Sequence, residues 1–196
     1  VLTISNKRSI IGAFFLSTTS RTAGYTLLDT GALHGVTLFF IIILMFLGAS
    51  PGSTAGGIKT TTIAIIFATV TSLIRDKDEV VLFKRRIEHD LIVKALAIFY
   101  IAAALVVLGT MCLCVTEDFP FIRILFEVTS AMATVGLSTG ITADLTVYGK
   151  YLLILIMLIA TGIQVGMRAH QSRKIATAVA YETALTSMDA GALAGL

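Results

Sequence analysis

The 196-residue chain has no tryptophan, only two cysteines and few charges, and each scarcity removes a class of reading. Charged residues are 14% of the chain against 56% apolar, whereas a soluble domain carries about 25% charged residues. With a mean hydropathy of +0.92, the composition is that of a membrane protein. The formal net charge of +3 is small, so its distribution matters more than its total. No polybasic tract with interleaved aromatics occurs, so nucleic-acid binding has little support. Cys112 and Cys114 stand two apart inside an apolar run. On a helix that spacing points them to different faces, and plain packing is expected rather than a disulfide or a metal site. No charged segment followed by a cleavage site lies near Val1, which argues against a signal peptide. The lack of a starting Met suggests a piece of a longer protein.

What is present is a pair of glycine-centred polar turns, each set between apolar segments: Thr22-Ala23-Gly24-Tyr25 and Thr134-Val135-Gly136-Leu137. Their glycines stand 112 positions apart (136 − 24). At that offset, without a gap, identities recur at Phe14/Phe126, Thr22/Thr134, Gly24/Gly136, Thr30/Thr142, Leu33/Leu145, Ile42/Ile154 and Met45/Met157. Hydropathy matches at nearly every other position between them. This reads as an internal duplication.

Each turn follows an apolar piece too short to span a membrane, which takes about 20 residues. The first is residues 9–17 and the second Phe119 to Met132, where Asp118 is expected to cap and Pro120 to sit in the first turn. The stretch from His34 to Ile74 would reach about 60 Å as one helix, twice a hydrocarbon core. Gly48-Ala49-Ser50-Pro51-Gly52-Ser53-Thr54-Ala55-Gly56-Gly57 interrupts it. Irregular backbone at such depth survives only where it is buried in protein or lines a wet cavity, so this loop is a functional candidate. Residues 75–94 are the one densely charged segment, with Arg75, Lys77, Lys84, Arg85, Arg86 and Lys94, and by the positive-inside rule are expected inside the cell. A span from Leu91 to Val115 and a last span from Tyr148 to Ile159 follow. The expected fold is an all-α membrane protein of helix–short helix–helix units with re-entrant turns. Residues 1–74 form an incomplete unit, 75–90 a basic cytoplasmic connector, 91–159 a complete unit and 160–196 an atypical polar tail.

Such turns suit dehydrated cations. Backbone carbonyls replace the ion's water without fixed charge, glycine tolerates the φ/ψ needed to aim them, and a short helix ending at the turn points its negative dipole end at the ion. Thr22 and Thr134 can add hydroxyl oxygens.

Thr19 to Tyr25, Gly48 to Thr60 and Thr134 to Gly140 resemble the third and fourth pore repeats of the Trk/Ktr/HKT superfamily of K⁺ transporters, most closely those of the bacterial Ktr membrane subunit. The resemblance covers about residues 9–159, and 48–60 is its most specific part. It implies four membrane–pore–membrane repeats around one pore, with Thr22, Ala23, Gly24, Tyr25, Thr134, Val135, Gly136 and Leu137 as K⁺-binding filter residues. Gly48 to Gly57 would be the intramembrane gate loop. It further implies a homodimer in the plasma membrane lipid bilayer and a cytosolic ring-forming regulatory subunit. That partner, not this chain, would bind a nucleotide. K⁺ against Na⁺ selectivity, and Na⁺ co-binding, stay open.

Arg21 and Glu127, charges beside the filters, are expected to form a bracing ion pair, since an unpaired charge there is costly. Lys59 either repels cations near the pore or snorkels to the cytoplasmic interface. Two departures stand out. Two repeats and an opening helix are absent, so the chain alone is not expected to conduct. The family's last helix carries an arginine where this sequence has Ala160-Thr161-Gly162-Ile163, and Arg168 lies seven positions beyond Thr161. A reading-frame shift or a misassembled gene end would produce so abrupt a change.

Two other motifs compete. Gly48-Ala49-Ser50-Pro51-Gly52 fits the nucleophile-elbow pattern G-x-S-x-G, which gives an intramembrane serine hydrolase as the alternative function. It needs a strand–turn–helix context and a base, and His34, His89 and His170 are all poorly placed in the sequence. Gly52 to Thr60 approaches a phosphate-binding loop, but Ile58 intrudes before Lys59.

Overall fold

The computed structural model describes residues 6–26, 29–48, 50, 56–76, 80–82, 85–87 and 89–166. Six helices run through them: α1 (Asn6–Thr19), α2 (Gly35–Phe46), α3 (Thr60–Ile74), α4 (His89–Thr116), α5 (Phe121–Met132) and α6 (Val147–Gly166). A 3₁₀ turn, Thr30–Ala32, precedes α2. One element departs from the all-helical expectation. Within the basic connector, β1 (Val81–Leu82) pairs antiparallel with β2 (Arg85–Arg86), Val81 opposite Arg86. Val80 and Val81 suit extended backbone, and Ile87 N–H donates to Val80 O at 3.0 Å to lengthen the pairing.

Among the described residues two helices are long and apolar enough to cross a membrane: α4, with 28 residues, and α6, with 20. At 1.5 Å per residue α4 reaches about 42 Å, more than the roughly 30 Å hydrocarbon core. Its outer side carries exposed Tyr100, Val107, Leu108, Met111 and Val115, and α6 exposes Tyr151, Leu155 and Leu158. Contiguous apolar surface of this extent suits lipid rather than water. Cys112 and Cys114 are free and lie on the exposed side of α4, not in the core.

The helices α1, α2 and α5, of 14, 12 and 12 residues, are too short to span. α5 is nonetheless the centre of packing. One side meets α4 and α6 through Ile124, Val128 and Met132 against Val106, Leu113, Leu153 and Ile156. The other meets α2 through Phe126 against Leu38, Ile41 and Met45. Close approach to α4 depends on Gly109, where a Cβ would stand 2.6 Å from Ile156 Cδ1 and 3.1 Å from Val128 Cγ1. Phe46 of α2 and Phe99 of α4 meet edge to face at 5.9 Å.

Asp118 does not cap α5. Pro120 itself takes the cap position, no side chain bonds to the helix end, and exposed Asp118 falls two residues outside. The cap of α6 is better made. Thr146 Oγ1 accepts from Gly149 N–H at 3.2 Å, while buried Glu117 from the end of α4 accepts from the Thr146 N–H and hydroxyl. The carboxylate thereby faces the positive end of α6.

The last helix does not stop at Ile159 as expected. Residues 160–166 contain neither charge nor proline, so nothing interrupts the hydrogen-bond ladder when hydrophobicity falls. The chain divides into two compact units, Val1–Ala160 and Thr161–Leu196, and the described residues of the second, 161–166, are helical. Arg168 and the rest of the tail lie outside the described residues.

Candidate functional site

Helix α5 closes with Thr134 in the left-handed region at φ 54. Thr134 N–H donates to Ala131 O at 3.2 Å and Val135 N–H to Ser130 O at 3.0 Å, so the turn caps the carbonyls that the helix leaves unpaired. Such a cap normally uses glycine at the left-handed position. Helix α1 ends with Thr22 at φ 69, and the carbonyl of Thr19 accepts from Ala23 and Gly24. Two residues further on in each case comes a positive-φ glycine, Gly24 at 72 and Gly136 at 86. The two turns therefore carry the same backbone signs at the same offset. A β-branched residue at positive φ is a genuine outlier, with strain of about 1–3 kcal/mol each. Two such residues stand at equivalent places in the two turns.

The turns abut. A Cβ on Gly24 would stand 2.5 Å from Val135 O and 3.6 Å from Gly136 Cα, and one on Gly136 would stand 3.7 Å from Gly24 Cα. Val135 and Leu137 are buried, while Ala23 and Tyr25 are exposed. The hydroxyls behind the turns are engaged as well: Thr19 Oγ1 donates to Tyr25 O at 2.7 Å and Ser130 Oγ to Leu137 O at 2.6 Å.

The glycine-rich loop is described at its two ends and at Ser50, which is exposed. Ala49, Pro51, Gly52, Ser53, Thr54 and Ala55 lie outside the described residues. The ends are pinched together. Ile58 N–H donates to Phe46 O at 3.3 Å, and Gly48 (φ 44) lies against the carbonyls of Gly56 and Ile58, 2.9 and 2.8 Å from a Cβ built on it. Gly56 is pressed against Ala133 O and Thr134 Oγ1 so closely that any side chain would overlap them. Gly57, at φ 74, packs beside Ala133. Lys59 is half-buried at the N-cap of α3 and makes no side-chain cap. The loop follows helix α2 rather than a strand, and His34 caps α2 by accepting from Val36 N–H at 3.5 Å. A nucleophile elbow at Ser50 thus lacks its strand.

The expected Arg21–Glu127 pair is not formed among the described residues. Arg21 is exposed, whereas Glu127 is buried in a cage of donors. Its Oε1 accepts from Ser138 Oγ at 2.7 Å, Thr139 N at 2.8 Å and Thr139 Oγ1 at 3.1 Å, and its Oε2 from Thr142 Oγ1 at 2.7 Å. Four donors satisfy a carboxylate without a cation. The chain leaving the second turn folds back over α5 and supplies them all. A further set of contacts joins the two turns' outer ends. Thr30 Oγ1 donates to Ser138 O, Gly31 packs on Thr139 O, and Arg123 Nη2 donates to Gly31 O at 3.3 Å. Sequence reasoning missed Thr30, Arg123, Ser138, Thr139 and Thr142 as positioning residues. The hydroxyl-rich run directly after the turn, and the Thr30/Thr142 identity, were the available signals.

Among the described residues no group of three or more His, Cys, Asp or Glu side chains converges. A cation held at these turns takes carbonyl and hydroxyl oxygens, a donor set that suits alkali ions.

Residues 1–162 match the TrkH family, described as cation transport protein. The chain is 44% identical over 147 residues to the Ktr system potassium uptake protein B of Bacillus subtilis, covering 75% of this chain and 33% of that protein. It is 40% identical over 149 residues to the protein of the same name in Vibrio alginolyticus, covering 76% and 33%. To the potassium/sodium uptake protein NtpJ of Enterococcus hirae it is 39% identical over 154 residues, covering 76% and 34%. The chain thus spans about a third of the length of the curated relatives it matches.

Proposed function

The chain belongs to the TrkH family of cation transport proteins, and from that premise we propose that it forms part of the pore of a potassium uptake system. The family is one of membrane transporters, so the chain is no enzyme, and the hydrolase reading of Ser50 is set aside. In the proposed arrangement residues 1–74 and 91–159 are the third and fourth pore repeats of a multi-pass plasma-membrane subunit, with 75–90 in the cytoplasm. K⁺ moves down its electrochemical gradient, coordinated by backbone carbonyls of residues 22–25 and 134–137, with no covalent chemistry.

The observation that carries this reading is the matched pair of strained turns, Thr22/Gly24 and Thr134/Gly136, abutting at the ends of two half-length helices. Strain held at equivalent positions, where main chain meets main chain, suits a site that binds through its backbone. The loop from Gly48 to Gly57 acts as the gate. Its end at Gly56 touches the first residue of the second turn, so a displaced loop would change the space below Thr134. A homodimer and a cytosolic nucleotide-binding ring complete the assembly on the strength of the family resemblance. Na⁺ is the second cation to consider, because the Enterococcus hirae relative is named for both.

Growth of a potassium-uptake-deficient bacterium at limiting K⁺ tests the proposal. The full chain alone is compared with a hybrid in which residues 1–162 replace the matching segment of the Bacillus subtilis relative. Rescue by the hybrid, lost on Gly24→Ser and not given by the chain alone, is the expected result. A well-expressed hybrid that gives no rescue would overturn it.

A further inference from the structure

Each filter turn holds its outermost carbonyl from behind. Ser130, on the last turn of α5, donates to Leu137 O at 2.6 Å; Thr19, the last residue of α1, donates to Tyr25 O at 2.7 Å. Leu137 and Tyr25 are equivalent positions, one residue past the paired glycines. The two donors are not the same position: Thr18, the offset partner of Ser130, instead donates back to Phe14 O at 3.0 Å. Two differently placed hydroxyls thus reach the same carbonyl of two turns. Both donors are almost fully buried, Ser130 at 3% and Thr19 at 2% exposure.

A cation is selected by a ring of oxygens aimed at one axis from every strand. A carbonyl that accepts a short hydrogen bond from its own supporting helix has one lone pair turned into that helix. Its field at the axis is correspondingly weaker. The inner carbonyls, of Thr22, Ala23 and Gly24 and of Thr134, Val135 and Gly136, accept no side-chain donor among the described residues. Resting on the pore reading above, we propose that Ser130 and Thr19 are specificity-determining residues: by withdrawing the Leu137 and Tyr25 carbonyls from the axis, they leave these strands three coordinating carbonyls each and weaken the outermost cation site. Tyr25 and Leu137, expected as ion ligands, then serve as struts of the filter.

The test is cation uptake by the hybrid subunit with Ser130→Ala, and separately with Thr19→Val, measured for K⁺ and Na⁺. A hydrogen bond of about 1 kcal/mol corresponds to roughly a fivefold change in an equilibrium constant. Half-saturating K⁺ should fall by about that factor in each variant, and the K⁺ over Na⁺ preference should rise. Ser130→Thr and Thr19→Ser, which keep the hydroxyl, should restore the parent values. If half-saturating K⁺ is unchanged, or rises, the hydroxyls aim the carbonyls at the ion or do nothing, and the proposal is overturned. Should Ser130→Ala fail to assemble, Thr19→Val at the less buried turn decides in the same way. A hybrid that takes up no K⁺ before any substitution overturns the pore reading instead, and this inference with it.

Discussion

The hydroxyl of Thr30 donates to the main-chain carbonyl of Ser138, 108 residues away in sequence, and joins the outer ends of the two glycine turns. With Gly31 packed on Thr139 O and Arg123 bonded to Gly31 O, it forms a clasp between the chain before α2 and the chain after the second turn. Thr30→Val keeps the shape and removes the donor, leaving the Ser138 carbonyl without that partner. A loss of about 1 kcal/mol is expected, seen as a lower melting temperature of the purified hybrid subunit. An unchanged melting temperature would mean the clasp contributes no stability.

Glu127 offers a sharper test. Glu127→Ala strips a buried carboxylate from three hydroxyls and one N–H, and should destabilise by about 1–3 kcal/mol for a buried donor left unpaired. Glu127→Gln retains one acceptor oxygen and should cost markedly less. Equal melting temperatures for the two variants would contradict the cage.

The charge swap of Arg21→Glu with Glu127→Arg should not restore activity. An arginine at 127 would face the Thr139 N–H, a donor, and reach only hydroxyl oxygens there, whereas Arg21 is exposed. Recovery of K⁺ uptake in the double variant would show that the two side chains meet after all.

The two turn glycines should differ. Both have positive φ, but a Cβ on Gly24 runs into Val135 O at 2.5 Å, while on Gly136 the nearest atom is at 3.7 Å. Gly136→Ala carries chiefly the left-handed strain of roughly 1–2 kcal/mol, and Gly24→Ala adds a backbone clash. K⁺ uptake by the hybrid should therefore fall further with Gly24→Ala, and the reverse order would contradict the packing of the turns.

Thr110 on α4 runs the other way. Its Oγ1 is the one buried side-chain polar atom without a hydrogen-bond partner among the described residues. Thr110→Val fills the same volume without the orphaned hydroxyl, and should stabilise by about 1 kcal/mol, read as a higher melting temperature.

Much of the site was legible because it is local. The turns announce themselves through glycine, threonine and the half-length helices before them, and the break at Gly48 through the length of the apolar stretch around it. Glu127 was visible as a lone acid in an apolar helix, but its partners were not. Charge pairing suggests a cation, whereas the fold returns the chain over α5 and brings three hydroxyls instead. Contacts such as Thr30 with Ser138 join segments 108 residues apart, which no short window of sequence contains. The end of α6 is hidden for a simpler reason: hydrophobicity falls after Ile159, although nothing in residues 160–166 breaks a helix.

The central claim is that backbone oxygens of the paired glycine turns hold the transported cation. Anomalous density for Rb⁺ in crystals of the hybrid subunit tests it most directly. Ion density is expected beside the Gly24–Gly136 contact, on carbonyls of residues 22–24 and 134–136. Rb⁺ found instead at the Glu127 or Glu117 carboxylates, with none at those carbonyls, would contradict the proposed function.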